Sequence, residues 1–278
     1  MMRISETVKH LIIINVIMFV GTLAIGNDVF LNWFAMYFPE NDAFRFWQIV
    51  THMFMHGGFM HIFFNMFALW MFGTPVEQVL GSKRFLFIYF SAGLGAVALQ
   101  VAYYYFDYYP LLQNISESGL TSDMIKKIVN MDIIEYAQNG NGYFSKEIFY
   151  EKLKTYLTDV NFNKGFIDQA TFSNLYEMNT VANNSTMVGA SGCIMGILAA
   201  FGMMNPEAKL MLIFLPIPIK AKYFIPGIII LDLISGLTGQ SFFSPSNTAY
   251  MAHVGGALTG FFIMWYWKKN QFNQNRWY

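Results

Sequence analysis

The chain has 278 residues, 55% hydrophobic and 18% aromatic, with only 12% charged against roughly 25% in an ordinary globular protein. Its long apolar runs would leave a water-soluble protein with more apolar surface than it could hide, so the composition points to a membrane. Seventeen Lys+Arg balance seventeen Asp+Glu, so there is no basic field to attract nucleic acid, and one cysteine, Cys193, excludes an internal disulfide framework and a Cys-rich metal site.

A hydrocarbon core of about 30 Å takes roughly 20 helical residues to cross. Six runs are read as spans: Val8–Ile25, Met60–Leu80, Phe85–Phe106, the short Gly189–Met204, Tyr223–Leu237 and Tyr250–Trp267. The first, with Arg3 and Lys9 at its start, has a cleaved secretory leader as its alternative. Its length, and the aromatic-rich Gly26–His56 loop after it, favour a retained span. Arg3, Lys9, Lys83, Arg84, Lys209, Lys220, Lys222, Lys268, Lys269 and Arg276 all fall on one side, while the first loop on the other side holds only Arg45. The positive-inside rule then puts both termini in the cytoplasm.

Between the third and fourth runs, Asp107–Thr186 carries ten acidic and six basic residues, which marks a soluble insertion outside the membrane. Phe149, Leu153, Tyr156, Leu157 and Val160 lie at helical spacing after a possible Ser145 cap, so the insertion is predicted helical, as a spacer or as a site of protein contact. Asn114-Ile-Ser116 and Asn183–Thr186 match glycosylation acceptors, which matter only in a glycosylating host. The expected division is 1–106, 107–186 and 187–278, an all-α membrane protein of six transmembrane helices with an insertion between helices three and four.

Polar groups at membrane depth are costly and usually functional or paired. The fourth run opens Gly189-Ala190-Ser191-Gly192, a serine at a helix N-terminus whose unpaired N–H groups suit a developing oxyanion. Alone, such a motif in a membrane helix is more often a small-residue packing face. The sixth run opens Ala252-His253-Val254-Gly255-Gly256, and Gly256, Ala257 and Gly260 share the face of His253. Gly192 and Gly196 offer a similar face on the fourth run. If the two faces meet, Ser191 and His253 approach as nucleophile and general base; a buried histidine bonded to a carbonyl is the alternative. On the second run, His61 and Asn65 stand four apart on one face and can both donate hydrogen bonds, to an oxyanion or as a structural clamp.

With these three motifs in this order, the chain resembles the rhomboid intramembrane serine proteases, over roughly residues 8–106 and 187–267. The resemblance implies that Ser191 is the nucleophile and His253 the base of a dyad without a third carboxylate. It implies an oxyanion hole of His61, Asn65 and the Ser191 backbone N–H, and single-pass membrane proteins as substrates. Two positions depart from the family pattern: the Trp-Arg pair of the first outer loop is Trp47-Gln48, and the aromatic four residues after the serine is Met195. The Gly239–Ala249 loop, with Phe242 and Phe243, is a candidate lid.

Glu77 is expected to bond loop backbone or basic groups, and Asp232 to pair within the bundle. His52 and His56 stand four apart without a metalloprotease motif, so no metal and no cofactor is expected. A bacterial plasma membrane is the expected location. The competing functions are a catalytically silent relative that binds membrane helices, and a transporter, which no pair of broken helices supports.

Overall fold

The computed structural model describes residues 3–136, 142–162, 167–212, 215–242 and 248–270. It is mostly helical and divides into two compact units, residues 1–36, 45–100 and 187–278 in the first, and 37–44 and 101–186 in the second.

In the first unit, Ser5 precedes the helix Glu6–Ile25 without capping it by its own side chain. Glu77, distant in sequence, takes that role. Its carboxylate accepts from the Thr7 and Val8 N–H groups at 3.1 and 3.0 Å, and from the Ser5 and Ser82 hydroxyls. A carboxylate among the orphan N–H groups of a first helical turn also complements the helix dipole. Glu77 is thus a backbone anchor, as its position suggests.

Among the described residues, four helices are long and apolar enough to cross a membrane: Glu6–Ile25, Phe59–Leu80, Ser82–Asn114 and Ala221–Thr238. Their outward residues, such as Ile17, Leu23, Val79, Phe87, Ile230 and Leu237, are exposed and apolar. The remaining two runs depart from the expectation of six. The serine helix, Ser191–Met204, has 14 residues and spans about 21 Å. The histidine helix, Tyr250–Asn270, has 21 residues, but His253, its glycines, and its Trp and Tyr residues lower its apolarity. Protein covers the serine helix, where every residue from Gly192 to Phe201 is buried, so it has little lipid to satisfy.

The core around it includes Leu69, Val76, Phe85, Ile88, Tyr89, Ile197 and Ala257. The Phe59–Leu80 helix contains a π-helical turn, Leu69–Gly73. Between the serine helix and Ala221–Thr238 the chain forms an antiparallel hairpin, Lys209–Leu212 with Leu215–Lys220, whose exposed base is tied by Glu207 to Lys220 and Lys222. Gly239, at φ +70°, ends the Ala221–Thr238 helix in the left-handed conformation that glycine accepts without penalty.

The second unit packs the helices Ser122–Val129, Lys146–Asp159 and Gln169–Asn184 and the end of Ser82–Asn114 around Phe149, Leu153, Leu157, Leu175, Met178 and Tyr108. Ser145 caps its helix as anticipated, accepting from Ile148 N–H at 3.3 Å. Of the predicted apolar face, Phe149, Leu153 and Leu157 are buried, Tyr156 is partly buried and Val160 is exposed beyond the helix end. The segment is not helical throughout: Ile134–Tyr136 pairs antiparallel with Gly142–Phe144. Tyr136 and Tyr143 lie exposed on that hairpin and leave it little apolar surface to reveal it by pattern.

Candidate active site

The segment that delivers Ser191 is fixed by backbone pairing. Met187 and Met36 exchange N–H···O bonds of 2.8 and 3.0 Å, and Gly189 N–H donates to the His52 carbonyl at 3.0 Å. Gly189 has φ +124°, a conformation that a residue with a Cβ rarely adopts. A Cβ there would stand 2.8 Å from His61 Nε2 and 3.6 Å from Ser191 Oγ, so the imidazole and the hydroxyl flank one point. Ser191 is the first residue of its helix. Ala190 precedes it and offers no side-chain cap, leaving the first-turn N–H groups for an incoming anion.

His61 lies on the Phe59–Leu80 helix, where Gly57 N–H donates to its Nδ1 at 3.3 Å. An accepting Nδ1 places the hydrogen of the neutral ring on Nε2, the nitrogen beside Gly189 and Ser191. One turn on, Asn65 is buried and donates one carboxamide hydrogen to the His61 carbonyl at 2.9 Å, which leaves its second N–H for another acceptor.

The serine and histidine helices meet backbone to backbone. A Cβ at Gly256 would lie 2.0 Å from the Gly192 carbonyl oxygen, and one at Gly260 would lie 2.2 Å from that of Gly196. The small-residue faces expected to meet therefore do so. A third helix joins them: Ala96 and Ala92 abut Gly192 and Gly196, and Gly95 abuts Gly255 and Thr259. Gln100, from the same helix, accepts the Ala252 N–H at 3.0 Å and so holds the histidine helix at its start. Gln100 is an amide in an otherwise apolar run, a signal of pairing at membrane depth that belongs to no motif.

His253 Nδ1 is 2.8 Å from Asp232 Oδ2. The Asp232 side chain is 1% exposed and that of His253 13%. Asp232 does pair within the bundle, and its partner is the candidate base. This departs from the expectation of a base without a carboxylate: twenty-one residues separate the two, and no sequence spacing reveals such a contact. Among the described residues, Ser191 Oγ and His253 are not joined by a hydrogen bond.

At the departures from the family pattern, Gln48 is fully buried and bonds the Asn32 carbonyl and the Arg45 N–H at 3.0 and 2.9 Å, while Trp47 Nε1 donates to the Trp33 carbonyl at 2.8 Å. An amide thus ties the first loop together at the arginine position. Met195 is buried in the core. His52 Nδ1 faces the Gln48 carbonyl at 2.8 Å. Burial pushes His52 down to about 4 and His56 down to about 3, so both are neutral at pH 7. Of the candidate lid, Phe242 is exposed and Phe243 lies outside the described residues.

Residues 43–112 and 148–270 match the family model of the rhomboid domain. The chain belongs to the rhomboid family. With four helices suited to crossing a bilayer, this rhomboid is an integral membrane protein. The match differs in extent from the resemblance read in the sequence. It starts at residue 43, leaving out the first helix, and takes in residues 148–186, so that within the span it covers only 113–147 are skipped.

Proposed function

We propose that this rhomboid is an intramembrane serine endopeptidase that cleaves single-pass membrane proteins. The observation that carries the reading is the placement of Ser191 Oγ and His61 Nε2 beside Gly189, next to a histidine helix in backbone contact with the serine helix. Ser191 Oγ attacks the scissile carbonyl of an unwound substrate segment, and His253 Nε2 takes its proton. The oxyanion accepts from His61 Nε2–H, the free Asn65 N–H and the Ser191 backbone N–H. His253 then protonates the leaving amine, and a water, deprotonated by the same imidazole, releases the acyl group.

The serine and histidine helices complete six crossings, with both termini in the cytoplasm of a bacterial plasma membrane and residues 107–186 as an outer insertion that contacts substrate proteins. A serine helix of about 21 Å leaves Ser191 below the surface of a core of about 30 Å.

Labelling with a fluorophosphonate tests the reading. Wild type labels and cleaves a model single-pass substrate; Ser191→Ala and His253→Ala, folded and membrane-inserted, do neither, and the double variant is scarcely worse than either single. A wild type that neither labels nor cleaves returns the protein to the silent, helix-binding alternative.

A further inference from the structure

We propose that Asp232 is the positioning residue of the proton-transfer machinery, so that this rhomboid works with a Ser191–His253–Asp232 relay in place of a dyad; the inference rests on the protease reading above. An ionised carboxylate only accepts hydrogen bonds. With Asp232 ionised, the 2.8 Å contact between Oδ2 and Nδ1 puts the hydrogen on Nδ1 and leaves the lone pair of the neutral ring on Nε2. That is the tautomer a general base needs, and it is the reverse of His61, whose Nδ1 accepts from Gly57 and whose Nε2 carries the hydrogen. Two imidazoles are thus set by opposite partners to opposite tasks, one to receive a proton and one to donate a hydrogen bond.

The carboxylate also answers the cost of the reaction. When His253 takes the Ser191 proton, a cation forms on a side chain 13% exposed, and Asp232 supplies a fixed opposite charge without any group having to move. A single helix cannot do this for its own histidine here. Asp232 comes from Ala221–Thr238, so the partner is built in by the packing of that helix against the histidine helix, where Met251 fills the space beside Gly236.

The experiment uses the full chain in lipid nanodiscs. With ¹⁵N-labelled histidine, and the His253 signal assigned by its loss in His253→Gln, the wild type at neutral pH should show His253 with its hydrogen on Nδ1. Finding it on Nε2 overturns the proposal without any variant at Asp232. Asp232→Asn, close to isosteric, should lower kcat by about 100-fold or more with KM changed by less than about threefold, because the loss is of base orientation and charge rather than substrate contact. Ser191 labelling should slow in parallel, and Asp232→Glu should recover part of kcat.

An Asp232→Asn protein that melts with the wild type and keeps its kcat overturns the role of Asp232. So does one in which kcat falls only in proportion to lost folded protein. If Asp232→Asn fails to fold, the wild-type tautomer decides. A wild type that neither labels nor cleaves overturns the protease reading, whereas equal labelling rates in wild type and folded Asp232→Asn remove Asp232 alone.

Discussion

The two units solve the same problem, holding helices together, by opposite means. In the unit that carries Ser191, the decisive contacts have almost no side chain: Gly192, Gly196, Gly256 and Gly260 bring two backbones within reach of each other. Three of its buried polar groups are anchors, Glu77 on a helix start, Gln100 on Ala252 and Asp232 on His253. The other unit interlocks Phe149, Leu153, Leu157, Leu175 and Met178, and starts its helices on Thr121, Ser145 and Asp168. In water, burial of large apolar side chains drives association. Among lipid tails it does not, and close backbone approach and hydrogen bonding take over. Backbone contact tolerates no slack, which suits a site whose groups must meet within a fraction of an ångström.

The sharpest way to break the first arrangement is Gly256→Val. Its Cβ would overlap the Gly192 carbonyl oxygen, so the helices must separate, and a shift of about 1 Å at a catalytic group is worth about 100-fold in rate. Ser191 labelling should fall by at least that factor, with a lower Tm. Gly227→Ala, in a helix of the same unit but with open space at its Cβ, should leave labelling unchanged and stabilise by about 0.5–1 kcal/mol. Equal tolerance of both substitutions would remove backbone contact as the organising principle.

In the second unit the corresponding break is Phe149→Ala, which empties a fully buried site and should cost about 3–5 kcal/mol. Hydrogen exchange along Lys146–Asp159 should accelerate accordingly. Unchanged protection there would mean that Phe149 is not central to this core.

The same contrast explains what the sequence made legible. Ser191, His253, His61 and Asn65 stand in dense motifs, and the glycine faces of the serine and histidine helices follow from helical spacing alone, so their meeting was foreseeable. Gly95, Ala92 and Ala96 form a third small-residue face inside Phe85–Phe106, where apolarity masks it. The contacts of Asp232 with His253, Glu77 with Val8 and Gln100 with Ala252 join residues from 21 to 152 apart in sequence and obey no local period. Of the other two expected crossings, the serine helix is apolar but short, with protein around it, and the histidine helix is diluted by His253, its glycines and its Trp and Tyr residues, while the Ile134–Tyr136 hairpin is too short and too exposed to show an alternation.

Acid separates the units on a smaller scale. All five histidines belong to the first unit. His52 is neutral and buried, with its pKa pushed from the ordinary 6.5 to about 4. The unfolded chain therefore binds this proton first. The stability it represents is complete above about pH 6.5, falls as the pH drops through the window, and is gone below about 4, a loss of about 3 kcal/mol. Denaturation of wild type and His52→Gln between pH 7 and 4 should diverge by that amount, His56 contributing equally to both. Parallel curves would show that His52 is not held neutral by the fold.

The smallest effect distinguishes the two ways of starting a helix. Ser145 has extended backbone angles, φ −95° and ψ 122°, that let its Oγ accept the Ile148 N–H. Ser145→Ala removes that acceptor and should destabilise the second unit by about 1 kcal/mol, while Ser145→Asp, also a good cap, should be nearly neutral. The serine helix starts differently. Ala190 has φ −72° and ψ −5°, already helical, so an oxygen placed on its side chain does not reach the N–H groups beyond it. Ala190→Ser should accordingly bring no capping gain. If it raised Tm as a cap does, the open first turn at Ser191 would be an accident of composition and not a set of N–H groups kept for an oxyanion.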